Sequence, residues 1–254
     1  MRLMTPRRLA LLVPAMLAAA ACAAPPLAAP PTVTLYLPPA LPDPSETVRL
    51  EKSAPAPPPV APAAPTRRAL LDPSLAAAQA PEVYRARFRT TKGHFVVEVH
   101  RSWAPNGADR FYNLVHVGFY DGTRFYRAIA GFMVQWGISG DPAVSAAWRE
   151  AHVKDDLPVR SNTRATISFA KGAAPATTQV FVNYGDNSRL DAMRFAPFGE
   201  VVEGMGVLDG LYTGYGECGP GGKGPNQGQM EREGDPYLDG FPLLDRVLDA
   251  WVEE

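Results

Sequence analysis

Cysteine is scarce: Cys22 and Cys218 are the two present in 254 residues. Two cannot build a disulfide framework or a cysteine-rich zinc site. Histidine is nearly as rare, at four. His94 and His100 share a strand face but lie about 20 Å apart at ~3.3 Å per residue, too far to share a metal. His116 and His152 stand apart from both, and no H-E-x-x-H string occurs, so no metal site is expected. Excess charge of one sign is missing, with 25 Lys+Arg against 26 Asp+Glu and a net charge of −1. That balance excludes a general nucleic-acid binder. The apolar run Leu9–Ala21 has 13 residues, short of what a spanning helix requires. A nucleophile elbow is missing too, because Gly137-Ile138-Ser139-Gly140 lacks the G-x-S-x-G spacing. The string GYGECGPGGKGPNQG at 214–228 fails as a phosphate loop: Glu217 stands where the first glycine is needed, and Gly224 where Ser or Thr is needed. It reads as a long Gly-rich surface loop carrying Cys218 as a free thiol.

What the chain does have is uneven. Arg2, Arg7 and Arg8 precede the apolar run, and together they read as a secretory signal over residues 1–22. Ala19, Ala20 and Ala21 before Cys22 resemble a lipoprotein box, so Cys22 is the expected lipidation site, with ordinary cleavage at a nearby A-x-A site as the alternative. A lipid on Cys22 anchors a chain to a membrane surface without spanning it. Residues 23–81 hold 16 of the 27 prolines. Proline lacks the N–H that ladders and helices need, so this Pro/Ala-rich segment is expected to be a mostly disordered, extended tether. TVTLYL (32–37) and ETVRLEK (46–52) alternate like short strands within it. Residues 82–254 form the expected folded domain, with 18 Lys+Arg against 22 Asp+Glu.

Periodicity organises that domain. Tyr84, Ala86 and Phe88 alternate with three arginines, Thr91-Lys92-Gly93 marks a turn, and Phe95, Val97 and Val99 alternate after it, which is a hairpin. Phe111, Leu114, Val115 and Gly118 follow helical spacing, with Asn106 as the expected N-cap, Asp109 in the first turn and Gly118 just past the end. Strands are expected at 124–129, 132–138, 166–170, 180–184 and 198–202, and a second helix at 205–212. Residues 244–252 fit either a strand or a short helix. Many strands with two helices give a mainly β fold, a closed antiparallel barrel capped by the helices.

The string with the most chemistry is RFYRAIAGFMVQWG (124–137). It carries Arg127 on a strand, a turn at Gly131, and then Met133 and Gln135 on one face with Phe132 and Val134 on the other. An arginine beside aromatic and thioether groups can hold an amide over an apolar pocket; on this string alone, a salt-bridged strand arginine in a barrel is the alternative.

Here the sequence resembles the cyclophilins, peptidyl-prolyl cis/trans isomerases. Residues 125–137 match the family's F-[HY]-R-x-I-x-x-F-M-x-Q-x-G signature. Ile167-Ser168-Phe169-Ala170 with Gln179-Val180-Phe181-Val182, and Arg189-Leu190-Asp191 with the run from Phe195 to Met205, resemble two further blocks. The tail from Thr213 resembles that of a bacterial, exported subgroup with a Gly-rich extension. The resemblance implies Arg127 as the catalytic arginine. It implies Gln135 as the group that orients Arg127 and contacts the peptide backbone. Phe132, Met133, Phe181 and Leu190 line the proline pocket, Ala170 and Gln179 a neighbouring subsite, and Phe195 closes the wall. Two positions depart from the pattern. Lys171 stands where an asparagine usually binds substrate backbone, and Arg189 where many members place a tryptophan at the cyclosporin-binding rim.

The resemblance implies no cofactor. The expected partners are proline-containing polypeptides, met by a monomer in the periplasm or cell envelope, with no nucleic acid. A non-catalytic peptide-binding or chaperone module on the same fold is the alternative, motivated by Lys171 and Arg189.

Overall fold

The computed structural model describes residues 67–253. The expected signal segment, Cys22 and the strand-like runs at 32–37 and 46–52 lie outside the described residues. Alternation sets the first strand, β1 (Val83–Thr90), which buries Tyr84, Ala86, Phe88 and Thr90. A tight turn leads into β2 (Gly93–His100), in register from Val83 opposite His100 to Thr90 opposite Gly93. β2 buries Phe95, Val97 and Val99, and Val96 as well.

The other strands are β3 (Arg127–Ile129), β4 (Met133–Trp136), β5 (Thr166–Phe169), β6 (Val180–Asn183), β7 (Pro197–Glu203) and β8 (Val247–Val252). The segment left open between strand and helix is thus strand β8, antiparallel to β1. All eight join one antiparallel sheet in the order β3-β4-β6-β5-β7-β2-β1-β8. The closed barrel needs correction. No ladder joins β3 to β8; an isolated bridge between Arg124 and Arg246 links the segments beside them. β3 is three residues long, too short to build a closing seam. The sheet is a curled half-barrel.

The two expected helices are also adjusted. The first, α2 (Pro105–His116), starts with proline at its first position after Ala104. Asn106 is therefore inside the helix, not its cap. The first-turn N–H groups are met from a distance by Asp156, which accepts from Asn106 N at 3.3 Å and Gly107 N at 2.9 Å. Asp109 lies beyond the first turn and instead accepts two bonds from Arg101. Gly118, at φ +67°, sits just past the helix as expected. The second, α4, stops at Asp209 after starting at Met205, where Gly210 ends it. Among the described residues there are four more: α1 (Arg67–Leu71), α3 (Pro142–Trp148), α5 (Gln227–Glu233) and α6 (Asp235–Leu238).

The concave face of the sheet closes over aromatic side chains. Phe88, Phe95, Phe111, Tyr120, Trp136 and Phe198 are fully buried and touch one another ring to ring. Each such burial contributes about 1.5–3 kcal/mol, so this cluster fixes the sheet on which the site is built. Packing begins before residue 82. Leu70 O accepts from Trp148 Nε1 at 2.8 Å, Asn113 bonds both N and O of Ala78, and Ala76 and Ala80 are buried. The folded unit therefore includes residues from Arg67 onward, because small alanines pack where prolines give way.

Candidate active site

Antiparallel pairing brings the chemistry of residues 124–137 together with a strand some fifty residues away. Arg127 pairs with Gln135 across β3 and β4, and Gln135 with Phe181 across β4 and β6. Met133, Phe181 and Leu190 form a small buried apolar cluster, with Ile129, Phe132, Ala170 and Phe195 packed around it. Leu190 arrives on a short 3₁₀ turn, Ser188–Met193. Phe195 meets Phe181 edge-on at 5.7 Å.

One cavity of about 520 Å³ is lined by all ten residues named from the sequence: Arg127, Phe132, Met133, Gln135, Ala170, Lys171, Gln179, Phe181, Leu190 and Phe195. One detail of the strand reading is corrected. Phe132 does not face away from Met133; it lies in the turn before β4, outside the alternation, and lines the same cavity.

Polar groups are chained along one side. Arg127 Nη1 donates to Gln135 Oε1 at 3.1 Å, and Gln135 Nε2 donates to Gln179 Oε1 at 3.0 Å. The buried Tyr126 hydroxyl donates to that same Gln179 oxygen at 2.5 Å. Arg127 Nη1 also lies 3.9 Å from Met133 Sδ, so this nitrogen faces the apolar pocket. The guanidinium stands 5.7 Å from the centre of the Phe132 ring. The arrangement offers a cationic hydrogen-bond fork beside an apolar slot, which suits an amide whose one side is a hydrophobic ring and whose other side carries a carbonyl.

The chain matches the family model described as cyclophilin type peptidyl-prolyl cis-trans isomerase/CLD over residues 85–223. It belongs to the cyclophilin family. A peptidyl-prolyl cis-trans isomerase of Acinetobacter baylyi is 35% identical over 130 residues, 48% of this chain and 68% of that protein. Peptidyl-prolyl cis-trans isomerase B of Escherichia coli is 34% identical over 139 residues, 50% of this chain and 85% of the other. A solved cyclophilin type peptidyl-prolyl cis-trans isomerase of Cryptosporidium parvum aligns with a TM-score of 0.48 and 19% identity, over 68% of this chain and 98% of that one. This cyclophilin is accordingly an enzyme.

The two departures from the family pattern are built into the rim. Lys171 donates to Asp155 at 2.7 Å and lies 5.8 Å from the Phe195 ring centre. Arg189 stands 4.9 Å over the Phe132 ring and donates to Asn187 Oδ1. Each cationic head lies over an aromatic wall of the pocket while it bonds a polar partner.

Sequence reasoning missed what stands behind the walls. Asn187 donates to Phe132 O and to Asn183 Oδ1, both at 2.7 Å. Asn162, fully buried, donates to Phe195 O and to Asp191 Oδ1, both at 2.8 Å, and accepts from Ser168. Burial opposes ionisation of Asp191, but bonds from Ser161 and Asn162 hold its carboxyl below the usual range. This network fastens the backbones of Phe132 and Phe195. Asn and Asp between strands look like turn formers in the sequence, so their clustering carried no signal.

Also missed was Glu217, whose carboxylate takes bonds from Arg127 Nε at 2.6 Å and Nη2 at 2.7 Å. The guanidinium bonds hold the Glu217 carboxyl below its ordinary pKa. The loop carrying it is exposed along much of its length, as expected, with Cys218 a free thiol turned inward. Cys218 is buried against Tyr126, Ile138, Met230 and Leu238, and burial pushes its thiol pKa up.

Proposed function

We propose that this chain is an exported prolyl isomerase that speeds the folding of secreted or envelope polypeptides, with Arg127 as the group that acts on the substrate amide. The observation that carries the reading is the convergence of Arg127 and Gln135 on the pocket made by Phe132, Met133, Phe181 and Leu190. Rotation about a peptide bond faces a barrier of ~18–20 kcal/mol from amide resonance. Each ~1.4 kcal/mol removed speeds rotation tenfold. No bond is made or broken, so the reaction calls for no nucleophile. It calls for preference toward the twisted amide, whose nitrogen is pyramidal and basic. In this reading the proline ring seats in the apolar pocket. The Arg127 fork donates toward the twisting amide, in a site where partial exclusion of water strengthens the bond. Gln135 holds the fork and bonds the peptide backbone.

Export rests on Arg2, Arg7, Arg8 and the apolar run that follows; anchoring rests on Cys22. The Pro-rich segment then spaces a monomeric catalyst from the membrane surface. A lipid-sized mass increase on a protein that begins at Cys22 supports the anchor; an unmodified start downstream of Cys22 removes it. For the activity, cis/trans exchange of a proline tetrapeptide is followed by NMR with wild type and Arg127→Ala. Acceleration by wild type and a loss of about a hundredfold or more in the variant is expected. Equal acceleration by both would falsify the assigned role of Arg127. No acceleration by either leaves a peptide-binding module.

A further inference from the structure

The pocket accounts for the residues from Arg127 to Phe195 but not for the Gly-rich segment 214–228, which closes onto the site from outside. Glu217 places both carboxylate oxygens on Arg127, a paired fork-to-fork contact. The carboxylate is itself oriented, because Oε1 also accepts from Cys218 N at 2.9 Å.

The loop that holds it is fastened on itself. Gly224 N donates to Glu217 O at 2.8 Å, and Gly222 N to Cys218 O at 2.9 Å. A Cβ at Gly222 would lie 2.1 Å from Glu217 O, so the fastening requires glycine there. Below the loop, Cys218 packs on Tyr126, and the Tyr126 hydroxyl reaches Gln179 and through it Gln135. The extension thus grips the two ends of the polar chain that orients Arg127.

A carboxylate on a catalytic arginine could equally brake it. The edge it occupies decides between these. Glu217 takes Nε and Nη2, while Nη1, the nitrogen facing the pocket, keeps Gln135 and a weak thioether contact from Met133. The substrate-facing edge is left for substrate.

We propose that Glu217 is a positioning residue of the isomerase site, bracing the outer edge of Arg127 so that Nη1 is held toward the pocket. The proposal rests on Arg127 being the catalytic group. Pre-setting a flexible side chain removes an ordering cost from the rate-limiting state, and slight misplacement of a reacting group is costly. Removal of the brace should therefore appear in kcat more than in KM.

The test uses the full chain with Glu217→Gln and Glu217→Ala beside wild type. Exchange of a proline tetrapeptide gives kcat and KM, and the Arg127 Nε–H signal is followed by NMR. Expected are a kcat lowered about fivefold to twentyfold with KM within about twofold in both variants. An Nε–H protected from solvent exchange in wild type should become exposed in both. If Glu217→Ala does not fold, Glu217→Gln, which keeps the side chain's size, decides alone. An unchanged or raised kcat in Glu217→Gln overturns the proposal, a raised value marking the carboxylate as a brake. If Arg127→Ala matches wild type, the catalytic reading beneath it has failed instead.

Discussion

Arg127 brings five N–H donors, and the structure assigns most of them. Two go to Glu217, one to Gln135, and Nη1 has its further contact only at Met133 Sδ. A thioether is a weak acceptor, so an amide carbonyl displaces it readily. The apolar side of the site is held just as closely. Phe181 is buried, meets Phe195 edge-on and pairs in register with Gln135. Phe181→Ala should lower stability by about 3–4 kcal/mol through the cavity it leaves, and raise KM for proline peptides about tenfold. Denaturant melts and exchange kinetics read the two effects separately; an unchanged KM would remove Phe181 from the pocket. At this scale, residues 125–137 were legible because their signature is contiguous and one hairpin delivers it. The buried asparagines and Glu217 were not. Glu217 lies 90 positions from Arg127, and nothing local in a glycine-rich string marks its carboxylate as the partner of an arginine.

Among the elements, the first hairpin reported itself by alternation, which the fully buried β4, β5 and β6 lack, and the helices were less legible. The β1–β2 hairpin matches its expected faces because one side packs on aromatics and the other carries ion pairs such as Arg85 with Glu98. α3 had a signal, Asp141 as N-cap followed by proline, with the carboxylate accepting from Ala143 N at 2.9 Å. Its seven residues are too few for periodicity to stand out. α5 likewise has Asn226 as its cap, hidden behind the glycines. The segment from Arg67 to Ala80 shows the opposite error, since an alanine- and proline-rich composition masked real packing. Its bonds to Trp148, Asn113 and Asp109 tie it to α3 and α2. A chain starting at residue 82 should therefore be less stable than one starting at residue 67. With net worth of about 1 kcal/mol per bond lost, a melting point several degrees lower is expected by calorimetry. Equal melting points would mean the segment adds nothing to the fold.

For the whole molecule, one group ties the segment after α2 to the last strand. Asp121 accepts from Ala250 N at 3.0 Å, and burial raises its pKa to about 6. A carboxyl with a raised folded-state pKa contributes stability below its ordinary value of 3.8, and that contribution is lost as pH rises through about 6. The substitution Asp121→Asn keeps an acceptor for Ala250 N and stays neutral at every pH. The variant should match wild type near pH 4 and exceed it at pH 8 by about 1–2 kcal/mol, discounted because the carboxyl is partly solvated. Melts across that range check it, and a gap that is constant with pH would contradict it. The curled sheet, the pocket and the outer loop meet at one guanidinium, so the most direct measurement changes that group while keeping its charge. Arg127→Lys retains a cation but loses the planar fork that Gln135 and Glu217 hold. Catalysis by the fork predicts peptide exchange close to that of Arg127→Ala, about a hundredfold below wild type. Wild-type exchange in Arg127→Lys would contradict it.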